Sequence, residues 1–139
     1  VNGKLLTQVK GFASYTVPVA TIQISAALQS APGPMIAATY TATNAVVAPT
    51  LGRPLTGGTS TVVQIISPSQ YYGDHLYQLD LRFARPFRSG KVSLVPSVDL
   101  FNVLNGNAVQ QENASYGLFR RPLVINQARF VKFSLNVDF

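Results

Sequence analysis

From Val131 to Phe139 every second residue is apolar: Val131, Phe133, Leu135, Val137 and Phe139 fall on one face. Lys132, Ser134, Asn136 and Asp138 fall on the other. Side chains of a β-strand point to opposite faces with period two, so the pattern predicts a strand with one apolar and one polar surface. With Arg129 included, its length matches the about 9–11 tilted residues that carry a strand across a bilayer's hydrocarbon core.

Four other segments show the same period. In the first, about Leu5 to Thr16, one face carries Val9, Gly11, Ala13, Tyr15 and Val17; the other carries Gln8, Lys10, Ser14 and Thr16, with Phe12 as an exception. Pro18 lacks an N–H to donate and interrupts the ladder. A second strand follows from about Val19 to Gln29, with Ala20, Ile22, Ile24, Ala26 and Leu28 on one face. The third, about His75 to Ala84, sets Tyr77, Leu79, Leu81 and Phe83 against Gln78, Asp80, Arg82 and Ala84. After a basic turn at residues 85–90, the fourth runs from Lys91 to about Leu104 and sets Val92, Leu94, Pro96, Val98 and Leu100 against Ser93, Ser97 and Asp99. Little of the chain has helical periodicity. The Ala-rich stretch from Ala37 to Ala48 is full of Thr and Val and has neither a cap nor an apolar stripe.

The connections alternate in length. The turns near Pro18 and Pro86 are short; the excursions over about 30–74 and 105–127 are long, and a short strand is expected inside the first at Ser60 to Ile66. Outer-membrane barrels have short periplasmic turns and longer extracellular loops, which would make the two excursions extracellular. Such barrels close with an even number of strands, eight or more. Five strands leave edges whose backbone groups lipid cannot satisfy. The expected fold is therefore all-β, antiparallel amphipathic strands forming part of a transmembrane β-barrel, with this chain as the C-terminal portion of something longer.

Composition agrees. Hydrophobic residues make up 47% and charged residues only 12%. Soluble domains carry about 25% charged residues. Here Thr, Ser, Asn and Gln take their place, as in strands between lipid and a wet lumen. A soluble secreted sandwich or jelly roll with a Thr-rich surface is the competing reading; it would bury the faces that a barrel turns to lipid. The formal charge is +6, but the cations are scattered and no nucleic-acid motif accompanies them, so no nucleic-acid partner is expected.

Several stretches resemble Oar-like TonB-dependent outer-membrane receptors, in that family's order. They are Gln8-Val9-Lys10-Gly11 through Tyr15-Thr16-Val17-Pro18, Gln29-Ser30-Ala31-Pro32-Gly33-Pro34, Leu51-Gly52-Arg53-Pro54-Leu55, Gln78-Leu79-Asp80-Leu81-Arg82, Asp99-Leu100-Phe101-Asn102-Val103-Leu104-Asn105 and Ala128-Arg129-Phe130-Val131-Lys132-Phe133. The resemblance implies a barrel-wall fragment of a transporter for energy-coupled solute uptake in the bacterial outer membrane. Its partners would be the rest of the receptor barrel and plug, membrane lipid, the barrel-assembly machinery, and TonB through regions absent from this chain. Phe139, with Phe133, Leu135 and Val137, resembles the C-terminal signal read by that assembly machinery.

Nothing in the sequence points to an enzyme, a metal or a cofactor. His75 is the single histidine, and cysteine is absent. Asp74, Asp80, Asp99, Glu112 and Asp138 show no spacing that suggests a paired site. Asp80, Arg82 and Asp99 are expected on polar faces of neighbouring strands as a lumen-facing ion-pair ladder, with solute or plug contact as the alternative. Arg85, Arg88 and Lys91 are expected to form a solvated basic turn, with attraction to anionic headgroups as an addition. Tyr71, Tyr72 and Tyr116, at strand–loop borders, are candidates for an aromatic girdle or for stacking against a solute.

Overall fold

The computed structural model describes residues 6–139. Its elements are β1 (Val9–Val17), β2 (Ile22–Ala31), β3 (Met35–Thr43), α1 (Asn44–Leu51), β4 (Ser60–Tyr72), β5 (Leu76–Ala84), β6 (Phe87–Ser89), β7 (Val92–Phe101), β8 (Val109–Glu112), β9 (Pro122–Ile125) and β10 (Phe130–Asp138). The fold is all-β and antiparallel. Five long strands form the main sheet in the order β1-β2-β5-β7-β10, and the short β6 pairs with the start of β7. Each long strand has nine or ten residues.

These are the five segments whose alternation marks them in the sequence. Leu5, expected near the start of the first strand, lies outside the described residues, and β1 is seen from Val9. β7 ends at Phe101 rather than Leu104 because Asn102 leaves the ladder with φ 49°. The sheet does not close: among the described residues β1 pairs only with β2, and β10 only with β7.

The register draws the alternation into continuous rows. On one face Tyr15, Ile24, Phe83, Val98 and Phe133 lie side by side across all five strands, and Ala13, Ala26, Leu81, Leu100 and Val131 form the next row. These residues are half-buried by their neighbours at most; Phe133 is 78% exposed, and Tyr15 and Val131 are also exposed. Among the described residues the buried apolar set is Ala38, Ala42 and Ala84, and no large side chain is fully buried. A water-soluble domain buries its large apolar side chains in a close-packed interior. Here they cover an open face.

The two excursions expected as loops are hairpins. β3 and β4 pair over most of their length, with register shifts between Ile36 and Thr39, and α1 sits at their tip. β4 is 13 residues long and runs well past the Ser60 to Ile66 segment that alternation suggests. The strand β3 and the helix α1 lie in the Ala- and Thr-rich stretch that lacks a clear period. Gly52 closes α1 in the left-handed conformation (φ 72°), where glycine pays no Cβ penalty, and its N–H reaches the Ala48 carbonyl at 2.9 Å. β8 and β9 make the second hairpin, braced at its loop end by Arg120 on Glu112 (3.2 Å).

Both excursions leave through necks that only glycine fits. A Cβ on Gly33 would meet the Asp74 carbonyl oxygen and the Gly73 backbone; one on Gly106 would lie 2.7 Å from the Tyr77 carbonyl oxygen. Gly33→Ala is therefore expected to lower stability by about 1–3 kcal/mol, the usual cost of overpacking against backbone that cannot yield. Urea unfolding of the refolded chain followed by circular dichroism would show it, and an unchanged midpoint would contradict the close neck.

Candidate functional site

The polar face is ordered as regularly as the apolar one. Its central row runs Ser14, Ser25, Arg82, Asp99, Lys132 across the five strands. Ser14 and Ser25 share a hydrogen bond of 3.0 Å, and Gln23 Nε2 donates to Ser14 Oγ at 3.2 Å. Arg82 Nε lies 3.7 Å from Asp99 Oδ1, with 55% of the arginine side chain exposed and only 10% of the aspartate. An η-nitrogen of Arg82 also donates to Ser97 Oγ at 3.4 Å. Lys132 occupies the ladder position on the other side of Asp99, so this nearly buried carboxylate stands between two cationic residues. Half-exposed pairs of this kind contribute about 0–1 kcal/mol each, so the row sets charge position and register more than stability.

Of the three polar residues singled out in the sequence, Arg82 and Asp99 meet and Asp80 does not join them. Asp80 is instead held by the backbone N–H of Asn102 (2.8 Å) and by Gln78 Nε2 at 3.1 and 3.0 Å to its two oxygens.

Asn102 is the residue that sequence reasoning missed as an individual, although its motif was noticed. It is 2% exposed. Its Nδ2 donates to the Gly106 carbonyl (2.9 Å) and the Gln127 carbonyl (2.6 Å), and its Oδ1 accepts from the Gly106 N–H (2.9 Å). Around it the Val103 N–H reaches the Leu79 carbonyl at 2.8 Å, and the Arg129 N–H reaches Asn105 Oδ1 at 3.2 Å. The segment Asp99-Leu100-Phe101-Asn102-Val103-Leu104-Asn105 thus ties the ends of β5, β7 and β10 to the base of the second hairpin. An asparagine followed three residues later by a second one, directly after an alternating strand, is the local signal for such a turn.

The three candidate tyrosines do not form one site. Tyr71 and Tyr72 end β4 opposite Ile36 and Met35, at the base of the first hairpin. Tyr116 lies in a short 3-10 turn between β8 and β9 and packs edge-on against Tyr40 of β3, with ring centroids 5.8 Å apart. Tyr40 is four residues along β3 from Ile36, a rise of roughly 13 Å. The Tyr40–Tyr116 contact sits beside a backbone link, Thr39 N–H to the Ala114 carbonyl at 2.7 Å, that joins the two hairpins.

His75 Nε2 lies 2.8 Å from Ser30 Oγ, and its ring leans on Tyr77. Among the described residues no group of three or more His, Asp and Glu could hold a metal ion. At the opposite end of the sheet, Arg85 lies over the Phe87 ring at 4.7 Å, and Arg88, Lys91, Asp138 and Phe139 surround a hollow beside the β6–β7 turn. Phe133, Leu135, Val137 and Phe139 are all exposed.

Compared with known protein families, curated proteins and solved structures, the chain matches none.

Proposed function

We propose that the chain is a wall segment of a transmembrane β-barrel in the bacterial outer membrane, and that this barrel belongs to a TonB-dependent receptor for energy-coupled solute uptake. The observation that carries the membrane reading is the sidedness of the five-stranded sheet: uncovered apolar rows on one face, and a hydrogen-bonded polar row through Arg82 and Asp99 on the other. Lipid satisfies the first face and a wet lumen the second. Strands of nine or ten residues suit the span. The two hairpins leave from one end of the sheet and the tight turns from the other, as periplasmic turns and extracellular loops do.

Strand direction adds a constraint on closure. In a five-stranded antiparallel meander, β1 and β10 run the same way. Joining them directly, within one chain or head to tail between copies, makes a parallel seam. An all-antiparallel barrel needs an odd number of further strands between them, roughly three or more to reach the usual minimum of about eight. The transport assignment itself rests on the resemblance of the sequence segments to TonB-dependent receptors. In that reading the rest of the barrel, the plug and the TonB contact are supplied by other parts of the receptor. Uptake that persists after the proton-motive force is dissipated would refute it.

The absence of cysteine makes the membrane reading directly testable. Single cysteines placed along β10 of the complete barrel in vesicles, and labelled with a polarity-sensitive dye, are expected to alternate. Positions 133, 135 and 137 should be quenched by a lipid-bound quencher, and 132, 136 and 138 by an aqueous one. Uniform aqueous quenching in a soluble, cooperatively folded monomer would refute the barrel and favour a secreted sandwich.

A further inference from the structure

Phe12 breaks the polar face. It stands on β1 between Lys10 and Ser14, and the residue is 76% exposed. Directly across from it is Ala27 of β2, and across Ala27 is Asp80 of β5. The adjacent row is Lys10, Gln29, Gln78. Ala27 is too short to fill the space between its neighbours, so Lys10, Ala27, Gln29, Gln78 and Asp80, with Gly11 and Leu28, line a hollow of about 190 Å³. Phe12 is not in that lining but stands next to it, beside Gly11 and across the ladder from Ala27.

We propose that this hollow is a subsite for one ring of a saccharide. The lining mixes hydrogen-bonding types: Lys10 only donates, Asp80 only accepts, and the Gln29 and Gln78 amides do both. Hydroxyls that each donate and accept suit such a set. A simple anion would face the Asp80 carboxylate and a simple cation the Lys10 ammonium. An apolar ligand would strip water from polar groups without replacing their bonds. Asp80 is already oriented by the Asn102 N–H and by Gln78, so its acceptors are fixed before a ligand arrives. The exposed Phe12 ring offers the flat apolar surface on which the C–H face of a sugar ring can rest. The volume is below the about 300–1,000 Å³ of pockets for drug-sized ligands, which fits a single ring of a longer chain. That the saccharide belongs to a transported solute rests on the barrel reading, in which this face lines the lumen; the lining residues do not depend on it.

The test is a titration of the full chain, refolded in phosphocholine-detergent micelles that carry no sugar, with maltotriose, cellotriose and chitotriose. The side-chain amide signals of Gln29 and Gln78 are expected to shift with a dissociation constant on the order of millimolar, as for a shallow site with few contacts. Phe12→Ala should weaken binding about three- to tenfold. Gln29→Ala, which leaves the ring in place, should also weaken it, and Gln23→Ala, on the same face outside the hollow, should not. No shift with any of the three sugars, shifts indifferent to both Phe12→Ala and Gln29→Ala, or equal shifts with triglycine would each overturn the assignment. The quenching pattern along β10 judges the barrel separately: sugar shifts without lipid quenching would keep the subsite and remove the barrel, and lipid quenching without sugar shifts the reverse.

Discussion

Asn102→Ala is expected to lower stability by about 3–4 kcal/mol, more than any other single truncation on the polar face. Three side-chain hydrogen bonds disappear, and the Gly106 N–H and the Gln127 carbonyl lose buried partners. A net bond is worth about 1 kcal/mol, but a buried group left unpaired costs about 1–3 kcal/mol. Alanine also tolerates φ 49° less well than asparagine. Two further variants separate these causes. Asn102→Gly relieves the backbone yet loses the bonds, so it should recover only about 1 kcal/mol. Asn102→Asp keeps the shape but turns a carboxylate oxygen toward two carbonyls, so it should be no better than alanine. Urea unfolding of the complete barrel in vesicles measures all three. If Asn102→Ala stays within about 1 kcal/mol of the native chain, the junction is not held as described.

How much of this was legible in the sequence depends on whether a residue's role is periodic. Val131 to Val137 announce their face because the strand period and the alternation of apolar with polar residues coincide. The same holds for β1, β2, β5 and β7, and the cross-strand rows follow once those strands pair in order. Arg82 and Asp99 could be placed on one face by counting alternate residues, but not that Asp80, two residues from Arg82, turns to the Asn102 backbone. β3 stayed hidden because its alternation is weak in contrast: Ala38, Tyr40 and Ala42 share one face and Thr39, Thr41 and Thr43 the other, and the register shifts between Ile36 and Thr39 interrupt it. α1 stayed hidden because it buries none of its residues and contains Pro49, so it needs no apolar stripe. Gly33, Gly106 and Asn102 act once each, through a close approach or a turn, and a role played once leaves no period. The segments that resemble TonB-dependent receptors do mark these places: Gly33 and Asn102 both lie in them, at the joints between sheet and hairpins.

Phe133→Arg is expected to cost about 2–4 kcal/mol in a bilayer, because the residue lies near the middle of β10 on the apolar face, where a charge meets the hydrocarbon midplane. Val137→Arg, on the same face but near the end of the strand, should cost only about 0–1 kcal/mol, since its guanidinium can reach the interface. Asn136→Arg, beside it on the polar face, should be close to neutral. This depth profile separates the two architectures that share the sequence pattern. If the face were open to water, all three changes would stay within about 0.5 kcal/mol. In a sandwich, a second sheet would cover Leu135 and Val137 as well as Phe133, and the cost would not fade toward the strand end or depend on the lipid. In a barrel it fades, and it falls further at position 133 when the acyl chains are shortened, because the thinner core brings the interface closer. Folding free energies of the complete barrel in vesicles of two acyl lengths therefore decide the matter: a penalty at Phe133 that shrinks in the thinner bilayer, beside a small one at Val137, is the outcome that only lipid on this face produces.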